Sequence, residues 1–299
     1  MGKLFSGLQS YMSFKDAARK YQDIGEHGEM KNALKLMEKI NPLDHMVKLT
    51  FTFDLDLVKE DIEKKSQAFF DQQKSIEHII DMVEIPTIDF ILNSSSDQVN
   101  ITELFHTIVF SSRSATEITH EQIETGKKKI YDFYQVYINS YLVCKIEFYK
   151  ALIREGIFSI ENLNEYFNKI PLESDLSLFL TDGFKYFISG ECQAALFILI
   201  PQLEVIVKKF AEKRGISVVK NVPEGIQEKT LGDFLLDGEF ENNIGKDLNV
   251  YLLWFLADKA GLNLRNNVAH GIIKYKDIQP HIIVGLIEII FTLLKRMEI

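Results

Sequence analysis

Residues 194–214 read AALFILIPQLEVIVKKFAEKR. From Ala194 to Val207 apolar side chains fall on nearly every side of a helix, and only Gln202 and Glu204 interrupt them. A helix that is apolar all round is a buried one, and a carboxylate within it needs a partner. Pro201 removes one backbone donor and predicts a kink, and Gly215 predicts the stop. Neighbouring segments supply further helices. Asp175 to Ile188 is amphipathic and ends at Gly190. Asp247 to Lys259 carries Trp254 and Phe255 as inward anchors. Pro280 opens a last helix through Arg296, and its run from Ile282 to Leu294 is nearly all apolar. A membrane span needs about 20 residues, so this run is too short and no membrane partner is expected. Its apolar surface exceeds what one bundle covers, which predicts a homodimer interface. The expected fold class is all-α.

Upstream, Phe14 to Ile40 reads as two helices around a break at His27-Gly28. Val47 to Leu57, VKLTFTFDLDL, alternates with the period of a strand. Val58 to Val83 returns to helical spacing and ends at Pro86. Thr87 to Val99, with Ser94-Ser95-Ser96, reads as a loop. Ile101 to Phe110 reads as a short amphipathic helix capped by Asn100. Thr119 to Glu155 is the longest helical stretch, with an aromatic stripe that includes Tyr134, Tyr137, Tyr141 and Tyr149. Bases of RNA stack on such stripes. Packing against neighbouring helices is the expected use. Lys127-Lys128-Lys129 reads as a solvated helix start. Ser159 caps a helix that ends before Pro171, and Pro171 to Ser174 is the expected linker. Two regions follow: a mostly helical one at 1–173 and a helical bundle at 174–299. Within the bundle, Val222 to Asn243 reads as an excursion around one short helix.

The formal net charge of the 299 residues is −9, against the usual signature of a non-specific nucleic-acid binder. From Glu191 onward the net is only −1, so −8 resides in the remainder. Few Gly and Pro, 16 and 6, suit a helical chain better than a loop-rich β fold. The two cysteines, Cys144 and Cys192, lie far apart, and neither CxxC nor HExxH occurs. No metal site and no cofactor are expected, and a reducing, cytoplasmic location is. The N-terminal MGKLFSGLQS lacks the apolar core of a signal peptide.

Chemically capable side chains crowd together only at Asn263 to Gly271, NLRNNVAHG. Asn263 is placed to cap a short helix. At about 100° per residue, Asn266 and His270 share a face, whereas Arg265 lies about 140° from His270. A guanidinium suits the oxyanions of a phosphodiester, and an imidazole moves protons near neutral pH. The same residues also suit a structural hydrogen-bonded pair. A similar spacing recurs at Arg113 and His120, without the Asn after Arg and without strong apolar flanks.

Arg265-Asn266-x-x-x-His270-Gly271 resembles the defining motif of a family of domains of unknown function. By its Arg-x4-His signature that family belongs with the HEPN superfamily. Leu-x-Pro-Gln-Leu-Glu within Ala194 to Arg214, and Gly261 to Leu264, extend the resemblance over roughly Asp175 to Ile299. It implies a four-helix unit that dimerises and, in many members, a metal-independent ribonuclease serving toxin–antitoxin, antiphage or RNA-processing roles. RNA is then the expected substrate, with an antitoxin or regulatory protein as a possible partner. The Tyr that some toxin members carry two residues after the His is Ile272 here. In this reading His270 moves a proton, Arg265 stabilises the phosphorane and Asn266 orients the phosphate or the imidazole. Asn267, Gln202 and Glu204 support them. The alternatives are a non-catalytic module that binds a nucleotide or a protein, and a purely structural polar cluster.

Overall fold

A computed structural model describes residues 2–40, 62, 64, 67–69, 71–72, 75–93, 107–110, 115–118 and 125–298. They are mainly helical and divide into two compact units. Unit 1 takes 1–52 and 98–125, and unit 2 takes 53–97 and 126–299. Among the described residues no helix is long and apolar enough to cross a membrane.

In unit 1, α1 (Gly2–Asp23) packs on α2 (His27–Glu38) and the pair buries Tyr11, Ala18 and Ala33. The same unit holds an antiparallel hairpin of β1 (Thr107–Phe110) and β2 (Ala115–Ile118), with Thr107 opposite Ile118. The helix predicted for Ile101 to Phe110 is therefore a strand at 107–110, where ladder pairing with β2 outweighs a weak amphipathic pattern. The strand predicted at Val47 to Leu57 lies outside the described residues.

Unit 2 begins with helical positions at 62, 64 and 67–69, then α3 (Ile76–Asp81) and α4 (Ile88–Asn93). Helix α4 occupies residues predicted as loop. The Thr87 hydroxyl accepts from Phe90 N–H at 3.2 Å, and Asp247 accepts from Ile88 N–H at 2.9 Å, so its first orphan donors are satisfied. Then come α5 (Thr125–Arg154), α6 (Ile160–Lys169), α7 (Ser174–Ile188) and α8 (Cys192–Lys213). Ser159 caps α6 as predicted, accepting from Asn162 N–H at 3.3 Å. Gly190 and Gly215 end α7 and α8 with φ of 84° and 73°, values open to glycine without penalty.

The predicted excursion is more ordered than expected. A hairpin of β3 (Val219–Val222) and β4 (Gly225–Glu228) leads into α9 (Leu231–Leu235) and α10 (Gly238–Ile244). Thr230 and Asp233 form a reciprocal capping box on α9, and Asp237 caps α10. Next, α11 (Lys246–Leu252) widens into a π-turn at Leu253–Ala257. The chain ends with α12 (Leu264–Ala269) and α13 (Pro280–Glu298).

One apolar core serves all of unit 2 and crosses the expected 173/174 boundary. Phe291 of α13 meets Phe158 at 6.3 Å and Tyr166 at 6.3 Å on one side of that boundary, and Phe184 at 5.3 Å on the other. The compact units divide elsewhere because α5 and α6 pack into the same core as α7, α8 and α13. This packing also changes the fate of α13. Ile283, Val284, Leu286, Ile287, Ile289, Ile290, Leu293 and Leu294 are fully buried within the chain. The apolar run predicted as a dimer surface has no face left over. Part of the aromatic stripe of α5 is core as predicted, with Tyr134 against Tyr251 at 4.9 Å and Trp254 at 5.4 Å, whereas Tyr141 is exposed.

Candidate functional site

The site is assembled from the π-turn upward. A π-turn opens the helical ladder by one residue, and here it delivers the chain into the motif. The Trp254 carbonyl accepts from Leu262 N–H at 2.9 Å. Gly261 passes so close that a Cβ there would lie 2.1 Å from that carbonyl oxygen. Asp258 secures the outside of the loop. It accepts from Ala260 N–H at 2.9 Å, from Lys127 at 2.8 Å and from the Tyr131 hydroxyl at 2.8 Å. Burial pushes the Asp258 carboxyl up, but Lys127, the Ala260 N–H and Tyr131 together hold it below its usual value. Lys127 and Lys129 are thus not simply solvated, since Lys129 donates to the Leu92 carbonyl at 2.8 Å.

Asn263 adopts the left-handed conformation at φ 51°, and its side chain caps no backbone donor. This differs from its predicted capping role. The left-handed turn instead aims its amide oxygen at Asn266, whose Nδ2 donates to it at 2.7 Å and to the Ala257 carbonyl at 3.2 Å. Asn267 donates to the Leu262 carbonyl at 3.1 Å, and its own carbonyl receives Ile272 N–H at 2.8 Å. Both side-chain amides therefore hold the loop before α12, and the Asn267 backbone carbonyl holds the turn after it.

Arg265 answers the question posed by Glu204. Its Nε donates to Glu204 Oε1, and its Nη2 donates to Oε2 at 3.4 Å. Its Nη1 donates to Asn266 Oδ1 at 3.2 Å. The bond to Glu204 raises the guanidinium pKa further. A guanidinium has five N–H groups. One on each terminal nitrogen is left without a bond to the described residues. Gln202, predicted as a second support, makes no hydrogen bond to the motif; it lies two residues from Glu204, on another side of α8.

His270 is not joined to Arg265. Helix α12 stops at Ala269, so His270 sits past its end, exposed, with φ −95° and its backbone N–H on the Asn266 carbonyl at 3.0 Å. Its ring has no hydrogen-bond partner among the described residues. The His270 N–H keeps the helical i to i−4 bond to Asn266, and the Asn266 side chain orients the guanidinium rather than the imidazole.

Arg265 opens onto a cleft of about 400 Å³, whose other walls include Pro201, Val205 and Lys208 of α8, Glu228 of β4, and Phe234 of α9. Lys208 pairs with Glu228 at 2.8 Å, and Lys229 at the rim pairs with Asp237 at 2.7 Å. The sequence reading missed these walls. The Thr230-x-x-Asp233 capping spacing was the available signal for α9. Helix α8 is also less enclosed than predicted, because Phe197, Pro201 and Val205 form an exposed line along one face beside the cleft. Among the described residues, no group of three His, Cys, Asp or Glu is placed to hold a metal ion. The chain matches no protein-family model, no curated protein and no solved structure.

Proposed function

We propose that this protein is a HEPN-type, metal-independent endoribonuclease that works as a homodimer. The observation carrying this reading is the partly committed Arg265. Glu204 and Asn266 fix the fork at a cleft, yet two N–H groups stay open for phosphate oxygens. Bidentate capture of a phosphodiester needs such a pair of donors. His270 supplies the proton-transfer group, and its ring is exposed.

RNA brings its own nucleophile, the 2′-hydroxyl. In the proposed reaction the 2′-oxygen attacks phosphorus as His270 moves the proton at that oxygen or at the leaving 5′-oxygen. The P–O5′ bond breaks, giving a 2′,3′-cyclic phosphate and a 5′-hydroxyl. Arg265 stabilises the charge that grows on the non-bridging oxygens. Within one chain the guanidinium turns to Glu204 while the imidazole lies beyond the helix end. A two-fold pairing would set the Arg265 of one copy beside the His270 of the other. The exposed Phe197, Pro201 and Val205 beside the cleft offer apolar surface for that pairing, in place of the buried α13. Toxin, antiphage or RNA-processing roles follow from the resemblance alone.

The test is incubation of the full chain with RNA in EDTA, with a DNA strand of the same sequence as control. The expected result is RNA-only cleavage with cyclic-phosphate ends, lost in His270→Ala at an unchanged melting temperature. Protection of RNA without cleavage would establish the binding module instead. A melting temperature lowered by His270→Ala, with no effect on RNA, would establish a structural cluster.

A further inference from the structure

A second cavity of unit 2, of about 730 Å³, shares no residue with the Arg265 cleft. Its size is that of a pocket for a small molecule. Three cations line it: Arg214 at the end of α8, and Lys295 and Arg296 in the last turn of α13. Two carboxylates line it as well, Glu84 between α3 and α4 and Asp247 in the first turn of α11. Thr87, Asn243 and Thr292 add two hydroxyls and an amide.

The group that calls for a ligand is the Arg296 guanidinium. It is half-buried; burial lowers its pKa, and Asp247 offsets part of that. It makes no hydrogen bond and no ion pair with the described residues, whereas Lys295 pairs with Asp81 at 2.8 Å. Asp247 acts on it from beyond ion-pair distance, and its own Oδ1 accepts from Ile88 N–H at 2.9 Å. Gly245 leaves the guanidinium its place, since a Cβ there would stand 3.2 Å from Nη1. Arg214 is oriented but mostly unspent. It lies over the Phe210 ring at 5.5 Å and gives one N–H to the Arg296 carbonyl at 3.2 Å, so its remaining donors meet none of the described residues. A partly desolvated guanidinium without a partner is costly, and an anion removes that cost. Two forks with spare donors suit a tetrahedral oxyanion, and a phosphate monoester brings close to two charges for them. A bare phosphate would meet Glu84 and Asp247 in the same cavity. Glu84 has no partner among the described residues, and Asp247 Oδ2 has no hydrogen bond there. Ligand hydroxyls would donate to both, as the hydroxyls of a sugar do to carboxylates.

We infer that this cavity binds a small phosphorylated polyol of the sugar-phosphate class, with its phosphate on Arg296 and Arg214 and its hydroxyls on Asp247 and Glu84. The assignment does not depend on ribonuclease activity. Calorimetric titration of the full chain tests it, with glucose 6-phosphate and ribose 5-phosphate as probes and inorganic phosphate and glucose as controls. The expected result is saturable binding of a sugar phosphate, no detectable binding of glucose, and inorganic phosphate weaker by about tenfold, the worth of one or two hydroxyl bonds. Arg265→Ala should leave these affinities unchanged, which separates the cavity from the cleft. Arg296→Met should weaken the sugar phosphate by about 10- to 100-fold, the worth of charge-assisted hydrogen bonds. Arg296→Lys keeps a charge at that place and serves where Arg296→Met fails to fold; it should still lose about tenfold, because a point charge offers no fork. Glu84→Gln should weaken the sugar phosphate by about threefold while inorganic phosphate binds no more weakly than before. No binding of either sugar phosphate at about 10 mM would overturn the assignment. So would affinity lost in Arg265→Ala, equal affinity for inorganic phosphate, or full affinity in either Arg296 variant.

Discussion

Two acid–base pairs join distant helices of unit 2, and they differ in what surrounds them. Arg265 and Glu204 keep 27% and 31% of their side chains exposed, whereas Lys145 and Glu288 keep 15% and 6%. The first pair sits at the edge of a cleft among amides, and its cation retains free donors. The second lies between α5 and α13, and its lysine stands over the Tyr141 ring at 4.9 Å. An open pair can hand its cation to an incoming anion. A closed pair cannot exchange partners without stranding a charge. The same residue chemistry thus leaves spare donors beside a cleft at one place and ties two helices together at the other.

Changes in the motif that carries the open pair should affect chemistry more than stability. His270→Ala is expected to lower cleavage by about 10²–10⁴-fold, the usual contribution of a proton-transfer group. Arg265→Lys is expected to lose about 10²–10³-fold, because a point charge cannot engage Glu204 and a phosphate at once. Single-turnover rates on a short RNA check both.

Changes at the closed pair should affect stability instead. Lys145→Met leaves the Glu288 carboxylate buried without its cation and is expected to cost about 3–5 kcal/mol. The double substitution Lys145→Met with Glu288→Leu should recover most of that loss. Urea unfolding of the three proteins measures it. A double variant as unstable as the single one would show that the pair's geometry, rather than the stranded charge, matters. Gly261→Ala is the next smaller change, at about 1–3 kcal/mol, since a methyl there meets the Trp254 carbonyl. Because that turn carries Arg265, cleavage should fall along with stability.

The smallest effect is a slope with pH. Burial pushes the Glu288 carboxyl up, and Lys145 offsets this only in part. Its folded value then exceeds its unfolded one, so folding takes up a proton there. The resulting stability is fully present below the unfolded value and is lost as pH rises through the folded one. The stability of the wild type relative to Glu288→Gln should therefore grow as pH is lowered from 7 to 5. A relative stability that grows toward higher pH would reverse the assignment.

Local signals were legible in the sequence, and long-range ones were not. Ser159, Gly190 and Gly215 act where their types predict, because caps and stops are decided within a turn of chain. The unpaired Glu204 on an apolar helix announced a partner, though not which one, and Arg265 is that partner. The domain boundary and the exposed face of α13 were misread because α5 and α6 fold onto the later helices. No local pattern reports such coverage. The motif's partners were hidden for a simpler reason: spacing along one short helix does not say which loop or neighbouring helix its side chains bond.

The central claim is that Arg265 and His270 meet across two copies of the chain. Mixing the folded, inactive variants Arg265→Ala and His270→Ala tests it most directly. In a shared site one copy supplies the guanidinium and the other the imidazole. The expected result is RNA cleavage that returns on subunit exchange to a sizeable fraction of the wild-type rate and fades on dilution. A mixture that exchanges subunits yet stays as inactive as either variant alone would contradict the account.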